Sequence, residues 1–445
     1  MRSLGTLFCL MLIVVGILPG QGLFEEASKD ESELSEALDL GGYLRSTLYG
    51  GRAPTAQAGQ IKSGYGEFSL KGRVRKEGFG GAFAELRFRE GQEFDVRISQ
   101  FSLREAYVDT FAGRFDLRVG HQIVVWGRAD GFNPTDNITP KDMLARSPDE
   151  DDRRLANFLI RATYNAQPVR LEGIWIPFYR SSRIPTDLIS FPDNVFYGGH
   201  DYPSARIEDS AFALKLNLEL PALDGSLSYF NGHNPFPGLS AEVLDVNPPG
   251  IPVPLVNAFL KSYRMHVIGA DFATTLGSTG LRGEFAFRRP HGDYRESLYI
   301  INPDLYYVLG IDREFPGNFS MIFQYVGRYV IDFEELPPPP DPALMPVYQL
   351  EQKNRLLASQ QYQLSHAFSL RLAKSLWYET LDAELMGFVN LTSQEFLLKP
   401  KVTYRITDAF QLVAGGEWYQ GPSDTLFDLM DPYLSAFFGE LRISF

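Results

Sequence analysis

The chain has 445 residues, a formal net charge of −13 at pH 7, and 44% hydrophobic residues. Because proteins bind nucleic acid through clustered Lys and Arg, this acidic balance argues against a nucleic-acid partner. The single cysteine, Cys9, lies close to the amino terminus, so we expect neither disulfides nor thiol chemistry in the rest of the chain.

The amino-terminal segment has the features of a secretory signal peptide. Arg2 is followed by an apolar run over 4–18 and then by Pro19. The run is shorter than the roughly 20 residues that a membrane-spanning helix needs; an amino-terminal membrane anchor is the alternative interpretation. We therefore expect a signal peptide at 1–22. Residues 23–38 are acidic and poor in aromatic side chains, which predicts a short periplasmic extension.

From residue 39 onward, segments of about ten residues alternate between apolar and polar side chains. In the clearest segment, 67–75, apolar or small residues occupy the even positions and polar residues the odd ones. A period of two indicates strands with two different faces. A membrane barrel alternates in this way, which explains why the mean hydropathy is only −0.15 despite the hydrophobic content. A soluble two-sheet sandwich also alternates, but it would not need so many strands in one run.

The alternation predicts eighteen strands, with sixteen as the alternative, and leaves room for a helical turn in the weakest segment, 354–380. The predicted strands begin near residues 40, 65, 80, 100, 115, 156, 168, 209, 224, 260, 279, 304, 318, 354, 380, 395, 409 and 433. Long connections near 127–155, 177–208, 234–257, 289–303, 334–353 and 421–432 alternate with short ones. Because outer-membrane barrels have short periplasmic turns and long external loops, this order predicts that both chain ends lie in the periplasm.

The carboxy-terminal segment is the most regular predicted strand. Counting back from Phe445 by twos follows a mostly apolar face, whereas the other face carries Glu440 and Arg442. This segment resembles the closing strand of a Gram-negative outer-membrane β-barrel, a class that typically ends on Phe; the edge strand of a soluble sandwich is the alternative. The resemblance implies an all-β fold, namely a single antiparallel up-and-down transmembrane barrel over 39–445 in the cell outer membrane.

A second resemblance lies in the strand that ends near residue 127. Residues 120–127 are Gly-His-Gln-Ile-Val-Val-Trp-Gly, and Asn133-Pro134 and Pro140-Lys141-Asp142 follow. This resembles a poorly characterised family of outer-membrane barrels, in which a strand ending Gly-x-Gln-x-Val-x-Trp-Gly precedes such a loop. A more distant similarity is to the alginate-export type of barrel. Neither resemblance identifies a solute.

The long connection at 127–155 is the third external loop in this count. In general porins the third loop folds into the lumen and narrows it, and the Pro and Gly steps here favour a structured loop. A surface loop with solvated charges is the alternative. Trp126 also fits an aromatic girdle at the lipid interface. The candidate constriction residues are Trp126, Arg128, Asp130, Asp136 and Asp142.

Lumen-facing positions in the second to fifth predicted strands are rich in cations. Acidic side chains of an inward-folded loop could face this basic wall, and such opposed charges would set ion preference. Ion pairs that only brace the wall are the alternative. The candidate pore-lining residues are Lys71, Arg73, Arg75, Arg87, Arg89, Arg104 and Arg118.

The sequence carries no pattern typical of catalysis or of cofactor binding. No histidines pair at metal-ligand spacing, and no nucleophile or phosphate-loop motif is present. We therefore expect no cofactor. The most direct interpretation is a porin-like channel for small polar or charged solutes, because so many strands enclose an aqueous lumen. The alternative is an export barrel for a polysaccharide or another large molecule that works with a periplasmic partner; an outer-membrane enzyme is the third hypothesis.

The resemblance also implies a set of partners. These are outer-membrane lipid, lipopolysaccharide and the machinery that assembles outer-membrane barrels. A homotrimer or a periplasmic transport partner is a further expectation.

Overall fold

The computed structural model describes residues 38–445 except 53–58, 185, 187–190, 192 and 246–254. The predicted signal peptide and nearly all of the predicted acidic extension therefore lie outside the described residues. The described part forms 21 strands and two α-helices. The strands are β1 Leu38–Arg52, β2 Gly59–Lys76, β3 Gly80–Glu93, β4 Val96–Ala112, β5 Phe115–Gln122, β6 Asn157–Ala166, β7 Val169–Ile176, β8 Val195–Asp201, β9 Ala211–Glu219, β10 Leu223–His233, β11 Gly238–Asp245, β12 Leu255–Lys261, β13 Arg264–Leu276, β14 Thr279–Pro290, β15 Asp304–Phe315, β16 Phe319–Val330, β17 Leu364–Leu376, β18 Leu381–Asn390, β19 Glu395–Arg405, β20 Phe410–Gln420 and β21 Ala436–Ser444; the helices are α1 Met345–Leu357 and α2 Leu426–Leu434.

Eighteen of these strands form one antiparallel sheet that closes into a barrel. Each strand pairs with its neighbour along the chain, and β21 returns to pair with β1 over the register from Tyr43 opposite Ser444 to Gly50 opposite Phe437. Phe445 extends this seam, because its backbone exchanges hydrogen bonds of 2.9 and 3.1 Å with Gly42. The predicted single barrel is therefore confirmed, with the higher of the two predicted strand counts.

Seventeen of the eighteen predicted strand starts fall within six residues of the observed ones. The exception is the strand predicted to begin near residue 354, which begins at Leu364 because α1 occupies the preceding segment. This segment has the weakest strand pattern in the sequence, and a helical turn is one of the structures expected for it.

The two faces of the barrel wall have opposite chemistry. In β9, Ala213, Lys215 and Asn217 are buried, whereas the alternating Phe212 and Leu214 are exposed. Apolar side chains therefore cover the outside, and polar side chains line the inside. This inversion of a soluble protein's pattern is the one that a lipid environment selects.

The two ends of the barrel differ in their connections. At one end, called the turn end, the strands are joined by two to four residues, and both Leu38 and Phe445 lie there. At the other end, called the loop end, most connections are long. No helix in the described part of the chain has the length and apolar character needed to cross a membrane.

Two long loops at the loop end contain a small sheet that the sequence pattern did not predict. β12 pairs antiparallel with β11 and parallel with β8. Leu239 and Val256 of this sheet pack with Leu350 of α1 in one buried cluster. The Asn354 side chain joins α1 to the sheet, because it accepts a hydrogen bond from the Leu239 N–H at 2.7 Å and donates one to its carbonyl at 2.8 Å.

The last long loop contains α2. Thr425 caps its amino terminus, and Leu434 packs with Leu397 and Tyr419 of the barrel wall. The final predicted strand start, near residue 433, therefore falls in α2, and β21 begins at Ala436.

Candidate functional site

The connection between β5 and β6, residues 123–156 and called L3 below, contacts lumen-facing side chains on opposite walls of the barrel. On one side, Arg128 Nε donates to Asp271 of β13 at 2.6 Å, and β13 lies nine strands from β1 around the eighteen-stranded barrel. On the other, the guanidinium of Arg146 lies 4.3 Å from the ring centroid of Tyr49 in β1. L3 therefore crosses the lumen.

Trp126 fixes the start of L3 to the inside of the wall. Its indole N–H donates to Glu172 of β7 at 2.8 Å, and the Lys215 ammonium lies 5.5 Å from its ring centroid. Only 4% of Trp126 is exposed. Trp126 thus faces the lumen side and takes no part in a lipid-facing girdle, because the inward phase of Gln122 continues through Val124 to Trp126.

The carboxylate of Glu284 in β14 binds the next segment of L3 through hydrogen bonds. It accepts hydrogen bonds from the backbone N–H groups of Arg128, Ala129 and Thr135 at 3.0, 3.2 and 2.7 Å, and from the Thr135 hydroxyl at 2.8 Å. Gly127 permits this approach, because its φ is +104° and a Cβ there would lie 2.4 Å from a Glu284 carboxylate oxygen.

Arg128 and Asp130 attach the same segment to neighbouring strands. Arg128 Nε donates to Asp271 of β13 at 2.6 Å. Asp130 pairs with Arg371 of β17 at 2.9 Å, and Arg371 also pairs with Glu384 of β18 at 2.8 Å. Both predicted residues therefore contact the wall.

Asp136 and Asp142 pair away from the basic wall. Asp136 pairs at 2.6 Å with Arg154, which belongs to L3 itself. Asp142 accepts from the N–H groups of Leu144 and Ala145, and its ion pair is with Arg183 at 3.3 Å, in the next long loop. Their role is to fold L3 and to join it to its neighbour.

Asp152 is the acidic L3 residue that meets the basic wall. Its two carboxylate oxygens lie 2.7 Å from Arg45 of β1 and 2.7 Å from Arg87 of β3, and it also accepts a hydrogen bond from the Ser147 hydroxyl. Burial alone would raise the pKa of Asp152, but the Arg45 and Arg87 guanidinium groups hold that pKa well below its usual range. Glu67 of β2 balances the cations, since it lies 2.7 Å from Arg45.

Arg104 reaches L3 because of an irregularity in β4. The pairing of β3 with β4 shifts between Glu85 opposite Glu105 and Leu86 opposite Leu103, so Arg104 is an extra, bulged residue. Arg104 donates to the L3 carbonyls of Asp151, Asp152 and Arg154, while Glu105 accepts from the Ile123 N–H at 2.8 Å. Two consecutive β4 residues therefore face the loop.

The seven predicted lumen cations divide into two groups. The first group hold L3 or the carboxylates beside it; they are Arg87, Arg89 and Arg104. The second group lie nearer the turn end and are partly or fully exposed; they are Lys71, Arg73, Arg75 and Arg118.

Aromatic rings separate the cations of the second group. The Arg73 guanidinium lies 5.3 Å from the Phe83 centroid, the Phe83 and Tyr107 rings are 5.4 Å apart, and Arg118 lies 4.2 Å from the Tyr107 centroid. Among the described residues, no carboxylate lies within 4.0 Å of Arg73 or Arg118. Positive charge is therefore available on this wall of the lumen, on the turn side of L3.

In the described part of the chain, no group of three or more His, Cys, Asp and Glu side chains is arranged to hold a metal ion. The residues that sequence reasoning missed are the receptors of L3, which lie far away in the sequence. They are Arg45, Glu172, Asp271, Glu284 and Arg371, and their only sequence signal is a charged residue at a lumen-facing position.

Solved structures that match this fold include outer-membrane porins. Acinetobacter baumannii OccAB3 matches with a TM-score of 0.51 and 13% identity, over 92% of this chain and 98% of that one. A BenF-like porin from Pseudomonas fluorescens matches with a TM-score of 0.51 and 10% identity, over 92% and 97%. Pseudomonas aeruginosa OccK5 (OpdH) matches with a TM-score of 0.50 and 11% identity, over 92% and 98%. At these identities the likeness shows the fold, which is that of a porin-like barrel.

No curated protein matches the chain in sequence. A family model described as "Protein of unknown function (DUF1302)" matches residues 54–292, which is more than half of the chain. The chain therefore belongs to the DUF1302 family of uncharacterised proteins.

Proposed function

We propose that this protein is an outer-membrane channel for small polar or charged solutes, that it prefers anions, and that L3 is its constriction. The observation that carries the proposal is the separation of roles among the lumen charges. One set of lumen charges holds L3 across the barrel through ion pairs and hydrogen bonds. Arg73 and Arg118 have no carboxylate partner among the described residues, so their positive charges remain beside the lumen.

The contacts of L3 support a limit on solute size. The loop is tied to β14 through Glu284 and to β1 and β3 through Asp152, so it divides the lumen between opposite walls. A large polymer would have to displace L3 and break these charge-assisted hydrogen bonds, each of which contributes about 1.5–3 kcal/mol. Passage around L3 suits small solutes better.

The free cations support the preference for anions. A unit charge about 5 Å from a permeating ion changes the energy of that ion by about 0.8 kcal/mol in a water-like dielectric. That energy corresponds to about a fourfold change in local ion concentration. Two such charges on one wall would therefore bias permeation measurably, provided that salt is low enough to limit screening.

The test measures the reversal potential of the purified protein in planar bilayers, with different salt concentrations of about 0.1 M or less on the two sides. The double variant Arg73→Gln/Arg118→Gln should shift the reversal potential towards cation preference. Arg97→Gln is the matched control, because Arg97 lies on the outer face of β4, where it pairs with Glu90 at 2.9 Å. If the double variant and the control have the same selectivity as the unmodified protein, the proposed role of these cations is refuted.

A further inference from the structure

A basic patch on the outer face of the barrel lies at the loop end of β13 and β14. In these strands Asp271 and Glu284 face the lumen, so the alternating His266 and Arg289 face outwards. The two residues are directly opposite each other in the register. The ring of His291, two residues beyond Arg289, stacks on His266 with centroids 3.9 Å apart.

The patch lies where the apolar surface of the wall ends. Towards the turn end, the outward positions of β13 are Ile268, Phe272 and Leu276, and all three are exposed. The hydroxyl of Tyr229, an outward residue of β10, lies 2.7 Å from His266 Nδ1. Amphipathic rings of this kind mark the boundary between acyl chains and headgroups. His266 and Arg289 are therefore at headgroup depth on the loop side.

The patch keeps an unbalanced positive charge. Arg289 is exposed, and among the described residues no carboxylate lies within 4.0 Å of its guanidinium. Beside it, the Arg264 guanidinium donates hydrogen bonds to three oxygens, namely the side-chain oxygen of Asn231 and the backbone oxygens of Glu208 and Ser210. None of these three oxygens is ionised.

Three carboxylates near this rim have other partners. Asp209 lies 4.0 Å from His233, and Glu208 pairs with Arg206 at 3.1 Å. Asp293 accepts a hydrogen bond from the backbone N–H of Arg295 at 3.1 Å.

Another outward-facing arginine at the loop end shows the opposite arrangement. Arg97 of β4 pairs with Glu90 of β3 at 2.9 Å, so its charge is neutralised within the wall. Arg289 has no such partner among the described residues.

We propose that Arg289, His266 and His291 bind a phosphate group of the outer-leaflet lipid, which in a Gram-negative outer membrane is lipopolysaccharide. The planar guanidinium binds phosphate oxygens through two parallel hydrogen bonds. Imidazole N–H groups supply further donors, and clustered cations at an interface attract anionic lipid. Because the patch is outside the barrel, this binding is independent of the proposed channel function.

The test uses native mass spectrometry of the purified full-length barrel with two probes, bisphosphorylated lipid A and the same lipid without phosphates. The unmodified protein should retain the phosphorylated lipid. The variant Arg289→Gln/His291→Asn should bind it about tenfold more weakly, as expected for the loss of a charge-assisted contact. Arg97→Gln should bind it like the unmodified protein, and all three proteins should keep their folded, heat-sensitive migration in gels.

Three results would each overturn the proposal. The first is equal retention of phosphorylated lipid A by the unmodified protein and the double variant. The second is equal binding of the phosphate-free lipid, which would make the contact apolar. The third is full displacement of the lipid by millimolar inorganic phosphate, which would indicate a site for the free ion.

Discussion

Glu284 is the residue whose exchange should loosen L3 most directly. In Glu284→Gln, one side-chain oxygen can still accept hydrogen bonds from Thr135. The other oxygen becomes an NH₂ group that faces the N–H groups of Arg128 and Ala129, so two charge-assisted hydrogen bonds of 3.0 and 3.2 Å are lost. At about 1.5–3 kcal/mol each, with partial compensation by water that enters the lumen, we estimate a net loss of about 3 kcal/mol from the docked state of L3. This corresponds to a change of roughly 150-fold in the ratio of docked to undocked loop.

Single-channel recording measures the consequence. Glu284→Gln should show larger open-level noise and a higher mean conductance, because an undocked L3 no longer divides the lumen. Asp382→Asn is the control, since Asp382 is a carboxylate near the turn end that pairs with Arg405 and does not contact L3. Folded migration in gels should be the same for both variants.

Gly127→Ala tests the same contact from the side of the loop. A Cβ at Gly127 would lie 2.4 Å from the Glu284 carboxylate, so the added methyl should displace L3 from its receptor. The Gly127→Ala/Glu284→Gln double variant should then be little worse than either single variant, because both remove one contact. Unchanged conductance and noise in Glu284→Gln would refute the reasoning, and fully additive effects would show that the two residues act separately.

The remaining predictions concern the Asp152 contact and the closure of the barrel. Because the pKa of Asp152 is depressed, its contribution to docking is complete above the ordinary carboxyl pKa and is lost only as pH falls through the depressed value. Against desolvation that would raise it, Arg153 and Lys399 likewise lower the pKa of Glu150 to about 2. The difference in open-level noise between Asp152→Asn and the unmodified protein should therefore stay constant from pH 7 to pH 4 and shrink only below that range. A change in that difference near pH 4 would contradict this. Asp152→Asn should be noisy at every pH, whereas exposed Asp116→Asn should behave like the unmodified protein. Deleting Phe445 removes its two backbone hydrogen bonds to Gly42 and its stacking on Phe68, so the folded fraction in outer-membrane extracts should fall, and an unchanged fraction would count against a role for the terminal residue.

The barrel could be predicted from the sequence because its determinants are local. Each strand carries its own period-two alternation, and the alternation of short and long connections identifies the two ends. The prediction failed where structure depends on distant partners. β8, β11 and β12 are short strands from two separate loops, and they form a sheet only by packing on each other and on α1. The predicted homotrimer or periplasmic partner stays a prediction.

The electrostatics of L3 could be predicted in kind but not in detail. The sequence shows a basic wall and an acidic loop, and the two do meet, but through Asp152 rather than through Asp136 or Asp142. The acidic run 149–152 looks like a solvated stretch in the sequence. A short 3₁₀ turn at Glu150–Arg153 gives the residues of this acidic run different roles. Asp149 caps the turn, and Asp152 faces Arg45. Such a division depends on the path of the chain in three dimensions and has no signature in the composition of the run.

The Trp126-Gly127 step can now be explained by two separate requirements. At Trp126 the chain still follows the inward phase of β5, and the indole needs an acceptor in the wall, which Glu172 supplies. One residue later the chain leaves the wall towards β14, where the Glu284 carboxylate comes closer than any Cβ would permit. The tryptophan followed by a glycine therefore marks the point at which strand β5 ends and the loop that crosses the lumen begins. The identity of both residues depends on carboxylates 46 and 157 residues further along the chain.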